Sequence, residues 1–165
     1  MGVTGWLYRT VLLLHILTVV VGFGAFIANA SYARLARQRG GAEGLAISQA
    51  STAVTRQVAL GAIYAVPLFG ILLVVLSDGI FGFGDPWVSL SFLLYIVAVA
   101  LLVAVVLPAQ RRADQLGASL VAGSAGGAGA QSELDALGRK LAASSGAFNL
   151  LFVVLLALMI FKPGS

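Results

Sequence analysis

The chain has 165 residues, of which 60% are apolar and only 10% charged, with a mean hydropathy of +1.03. A water-facing domain carries roughly 25% charged residues, so most of this surface is built for another solvent. Ten basic and six acidic residues give a formal charge of +4, too few for a nucleic-acid surface. The absence of cysteine excludes disulfides, thiolate metal sites and thiol nucleophiles, and a single histidine, His15, excludes His-rich metal centres.

Four intervals free of Asp, Glu, Lys and Arg carry the predicted architecture: 10–33, 57–77, 86–110 and 141–161. A hydrocarbon core of ~30 Å needs about 20 helical residues, and each interval reaches that length. Runs such as Leu150-Leu151-Phe152-Val153-Val154-Leu155-Leu156 do not alternate as barrel strands would. The fold class read from the sequence is therefore all-α: a polytopic membrane protein, one domain over 1–165, folded as a bundle of four transmembrane helices.

The first interval follows Arg9 and is read as a retained helix, since its apolar stretch is too long for a signal core. Its residues Tyr8, Val11, His15, Thr18, Gly22, Ala25, Asn29 and Tyr32 recur at steps of three and four, which places them on one side. Polar and small residues aligned in this way turn toward other helices, because lipid cannot satisfy them. The expected partners on the later spans are Gln57 and Tyr64, then Ser89, Ser91 and Tyr95, then Asn149. Gly24 with Ala28, Gly61 with Ala65 and Ala100 with Ala104 add small-xxx-small spacings on other faces.

Beyond the first span, Ala33 to Arg39 is expected to prolong the helix until Gly40-Gly41 stops it, and 43–55 reads as a helical lead into span two. Within span two, Pro67 removes a backbone donor and is expected to kink the helix. The stretch 122–130 has nothing to bury and is expected to be flexible, and Ser132-Glu133-Leu134-Asp135 reads as a capping box that starts the last helix.

Eight of the ten basic residues fall between spans one and two or between spans three and four. By the positive-inside rule these segments face the cytoplasm and both termini lie outside, with Trp6, Tyr8 and Trp87 at the outer headgroup level. Many Ala, Gly and Arg residues suggest a bacterial protein, which points to the inner membrane.

His15 is the only ionisable group inside a span apart from the tyrosines, which makes it a candidate site. A neutral imidazole there can hydrogen-bond a partner such as Tyr95, ligate haem iron, relay a proton or contact a quinone. No catalytic constellation and no metal site is expected. The leading functional expectation is a non-enzymatic accessory or scaffold subunit without a cofactor. It would contact the lipid bilayer and either further copies of itself or other membrane subunits, and no nucleic acid. The alternative is a haem-b membrane redox protein with His15 as axial ligand.

Leu14-His15-Ile16, Gly22-Phe23-Gly24-Ala25 and the closing Leu158-Met159-Ile160-Phe161-Lys162-Pro163 resemble the small bacterial predicted integral membrane protein families of unknown function. A first-span His and a terminal Lys-Pro are more distantly similar to the copper-resistance D-type proteins and the haem-containing protoporphyrinogen oxidases. That oxidase group is expected to pair its His with a basic residue in a later span, and Val88 to Tyr95 contains none.

Overall fold

A computed structural model describes residues 3–124 and 127–164. Four helices run through it: α1 (Trp6–Arg39), α2 (Gly41–Leu76), α3 (Pro86–Val121) and α4 (Gly127–Phe161), each long and apolar enough to cross a membrane. At 1.5 Å per residue each is about 50 Å long, so each continues well past a hydrocarbon core. The extra turns lie at the arginine-rich end of the bundle. The opposite end, here the terminal end, holds the 77–85 loop and the starts and finishes of α1 and α4.

Gly40 alone joins α1 to α2. It turns with φ 64° and donates its amide to Ala36, a conformation that costs glycine little. The helices then lie so close that a Cβ on Gly44 would run into the carbonyl oxygen of Ala36. Arg39 reaches across the turn to Glu43 at 2.7 Å. Further along the pair, Ser51 donates to the side-chain oxygen of Asn29, and a Cβ on Gly22 would meet that of Ala62 at 2.8 Å. Small residues thus close the hairpin from one end to the bilayer middle.

In α3, five residues from Leu102 to Val106 form a π turn, just before Pro108. A proline inside a regular helix lacks its donor and crowds the carbonyl four residues earlier, and a π turn takes up that misfit. Around it Ala98, Leu102 and Val106 pack against Phe148 of α4, with Phe23 and Ile63 completing the mid-membrane core. Phe23 stacks on Phe152 with centroids 3.7 Å apart. Leu13, Val20 and Ile27, on the other side of α1, are exposed, as apolar residues facing lipid should be.

At the arginine-rich end, Ser48 of α2 donates to Asp114 of α3 at 3.1 Å, and Arg112 grips both oxygens of Glu133 on α4 at 2.8 and 3.3 Å. The helix start corrects the capping-box expectation. The helix begins at Gly127, so Ser132 and Asp135 lie inside it rather than at its first turn. Residues 127–130 of the expected flexible stretch are already helical, and 125 and 126 lie outside the described residues. The glycines of the Gly24 and Gly61 spacings have nothing within 4 Å of an added Cβ, so within one chain they mark no close approach.

Candidate functional site: a cavity around His15

Pro67 organises the site. Lacking an N–H, it leaves the carbonyl of Ile63 without its helical donor. The Tyr95 hydroxyl on α3 donates to that oxygen at 2.7 Å. One turn further along α2, the ring of His15 bonds the backbone of Val66. That carbonyl has a second lone pair to offer beyond the helical one. Side chains from α1 and α3 thus meet α2 at successive turns, and the Tyr95 contact follows directly from the donor that Pro67 lacks.

His15 is 6% exposed, and its Nδ1 is buried without a hydrogen-bond partner. The ring forms part of the wall of a cavity of about 300 Å³. Tyr8, Phe81, Trp87, Phe92, Phe152 and Met159 form much of the rest of that wall. The indole Nε1 of Trp87 is a second buried polar atom without a partner. An unsatisfied buried polar group costs roughly 1–3 kcal/mol; both residues belong to the wall, while these two atoms are themselves covered by protein. A smaller space of about 50 Å³ shares Val19, Phe23, Val66, Tyr95 and Leu155 with the larger one and extends toward Gly22 and Ala98.

The 77–85 loop contributes Phe81 to the cavity wall. Ser77, fully buried, donates to the Val74 carbonyl at 2.7 Å and accepts the Phe81 amide at 3.1 Å. Asp85 accepts the amide of Gly82 at 2.8 Å. These bonds set Phe81 edge-on to Trp87, centroids 5.4 Å apart, with the Lys162 ammonium 4.1 Å above the Phe81 ring. Trp87 is accordingly half-buried beside Phe81, whereas Trp6 is 75% exposed.

Of the residues singled out from sequence, Tyr8, His15, Ser91 and Tyr95 line the large cavity, and Thr18 and Gly22 line the small one. Thr18 and Ser91 spend their hydroxyls on carbonyls of their own helices, Leu14 and Trp87. Ala25 is half-buried, as is Asn29, which meets Ser51 on α2. Tyr64 is 73% exposed, and Asn149 and Tyr32 are also on the outside. The inward face of α2 runs through Ile63, Val66, Pro67, Gly70 and Val74, which leaves Tyr64 one step out of phase. Similarly, Phe148, Leu155 and Leu158 take the inward positions of α4 and turn Asn149 away. The sequence reading missed the pairing of Tyr95 with Ile63. The signal was Pro67 itself, since its missing donor must orphan the carbonyl at position 63.

Helices of this length and hydrophobicity, joined by short turns around an intramembrane cavity, define a multi-pass integral membrane protein. Residues 9–163 match the family described as predicted integral membrane protein, DUF2269, and the chain belongs to that family. No match is found among curated proteins or among solved structures.

Proposed function

We propose that this protein is a non-enzymatic accessory component of the bacterial inner membrane that holds a small apolar molecule in the His15 cavity. Its arginine-rich end faces the cytoplasm and both termini lie outside, a reading supported by the eight basic residues at that end. The observation that carries the ligand reading is the cavity of about 300 Å³ itself, walled by apolar and aromatic side chains around the buried His15. An apolar cavity half that size admits benzene, so a substituted ring with several further carbons is within its capacity.

The test uses Trp87 as reporter. In a Trp6→Phe background it is the sole tryptophan, and a dibrominated alkylbenzene, which has no hydrogen-bonding group, should quench its fluorescence in lipid nanodiscs. Gly70→Leu, which puts a side chain into the cavity beside His15, should abolish quenching. Equal quenching in both would refute a cavity-bound ligand.

The place of His15 in the cavity wall supports a second occupant, haem b with His15 as axial ligand. A porphyrin would need the cavity to widen, and its signature is immediate. A Soret band after haem-replete expression that moves in His15→Ala would establish it, and its absence would dismiss it.

A further inference from the structure

We infer that the outer face of α4 around Asn149 binds the same face of a second copy of this chain within the bilayer. This surface lies on the outside of the bundle and is independent of the His15 cavity.

Asn149 sits where lipid serves it least. The uncharged run 141–161 has its middle at residue 151, so Asn149 lies about 3 Å from the bilayer centre. Roughly 12 Å of hydrocarbon separates it from the nearer headgroup layer. A short amide cannot reach out across that depth as a lysine or arginine does. Asn149 is exposed, and its side chain makes no hydrogen bond to the other described residues. Phe148, Leu155 and Leu158 hold the inward positions of α4, so turning Asn149 inward would displace the packed core. An amide left in hydrocarbon without a partner is strongly disfavoured.

The residues around it prepare the surface for another helix. Ala142, Gly146 and Val153 recur with Asn149 at steps of three and four, and all are exposed. A Cβ on Gly146 would meet nothing within 4 Å, so this turn is open to close approach from outside. Ala142 and Gly146 have the small-xxx-small spacing by which membrane helices bring their backbones together. An amide carries both donors and an acceptor, so a second Asn149 supplies what the first one lacks. A two-fold axis normal to the membrane produces that meeting, because residues near such an axis face their own copies. It also keeps both chains in the same orientation across the bilayer. Ala142, Gly146 and Val153 carry no charge that such self-contact would forbid. Tyr64, exposed on α2, offers the competing contact. Asn149 of one copy against Tyr64 of the next would be a head-to-tail arrangement.

The experiment mixes full chains labelled with donor or acceptor fluorophores at the C-terminus in phospholipid vesicles. Energy transfer is followed as added lipid dilutes the protein. The unmodified chain should associate, with transfer saturating at the level of a dimer. Asn149→Leu should weaken association about tenfold, the loss expected when interhelical amide hydrogen bonds in lipid disappear. Asn149→Gln keeps an amide and should recover most of that loss, while Gly146→Leu should weaken association by holding the backbones apart. Tyr64→Phe should leave it unchanged. Association of Asn149→Leu as tight as that of the unmodified chain overturns the inference, as does a chain that stays monomeric at every dilution. Equal losses in Asn149→Leu and Tyr64→Phe would assign the head-to-tail contact and overturn the two-fold pair.

Discussion

At the arginine-rich end α1 and α2 close over one glycine, and a single methyl added at Gly44 meets the Ala36 carbonyl oxygen. At the terminal end the same two helices border a cavity of about 300 Å³, where a Cβ on Gly70 lies 3.6 Å from the His15 ring, an ordinary contact. Polar groups follow the same division. Asn29, Ser48, Asp114, Arg112 and Glu133 all have partners on a neighbouring helix. Near the cavity, His15 Nδ1 and Trp87 Nε1 have none. Packing is spent on stability at one end and withheld at the other, the division expected when binding must be kept separate from folding.

The sharpest way to break this comparison is at the glycines. Gly44→Ala should destabilise by about 3 kcal/mol or prevent folding, because the clash is with backbone that cannot rotate away. Gly22→Leu should cost about 1–3 kcal/mol against Ala62. By contrast, Gly70→Ala should stabilise by about 0.5–1 kcal/mol, since helix propensity is gained with no clash. Thermal unfolding in nanodiscs ranks the three. A Gly70→Ala loss as large as that of Gly22→Leu would show that both ends are packed alike.

Next in size is the bond that replaces the donor Pro67 lacks. Tyr95→Phe leaves the Ile63 carbonyl without a donor inside the membrane and should cost about 1 kcal/mol. In a Pro67→Ala background the new amide at position 67 can serve that carbonyl, so Tyr95→Phe should then cost close to nothing. The double-mutant cycle reads the difference directly. Equal losses in both backgrounds would mean that Tyr95 acts only by filling space.

The sequence made the spans legible because charge is forbidden in hydrocarbon, a constraint that acts residue by residue. Helix continuation to Arg39 and the stop at Gly40 were legible for the same local reason. Partner choice was not. Tyr64 and Ile63 are neighbours in sequence, and which one faces inward depends on the rotation of α2, set by Pro67, Gly70 and the helices around them. Ser132 and Asp135 looked like a cap because their local spacing fits one, but the helix already begins at Gly127. The pairing of Glu133 with Arg112, 21 residues away, is encoded by no local pattern. His15 stood out as a lone intramembrane ionisable group, but its place on a cavity wall depends on how all four helices are rotated.

The smallest expected effect concerns Asp114, at the tightly packed end beyond the span. Burial raises its pKa above the usual carboxylate value, and hydrogen bonds from Ser48 and Thr52 offset this only in part. A carboxyl with a folded pKa above its unfolded one holds its proton more readily in the folded state. Its contribution therefore favours folding at low pH and is lost as pH rises from the unfolded value through the folded one. Above that window the charged form is a net liability, so Asp114→Asn should raise the melting temperature slightly at neutral pH. Below the carboxylate range both proteins carry a neutral side chain there, and the difference should vanish. Melting curves of the two at pH 3.5 and pH 7.5 test the sign. Asp114→Asn destabilising at pH 7.5 would show that the bonds from Ser48 and Thr52 outweigh burial, and that this end is held by its charge rather than in spite of it.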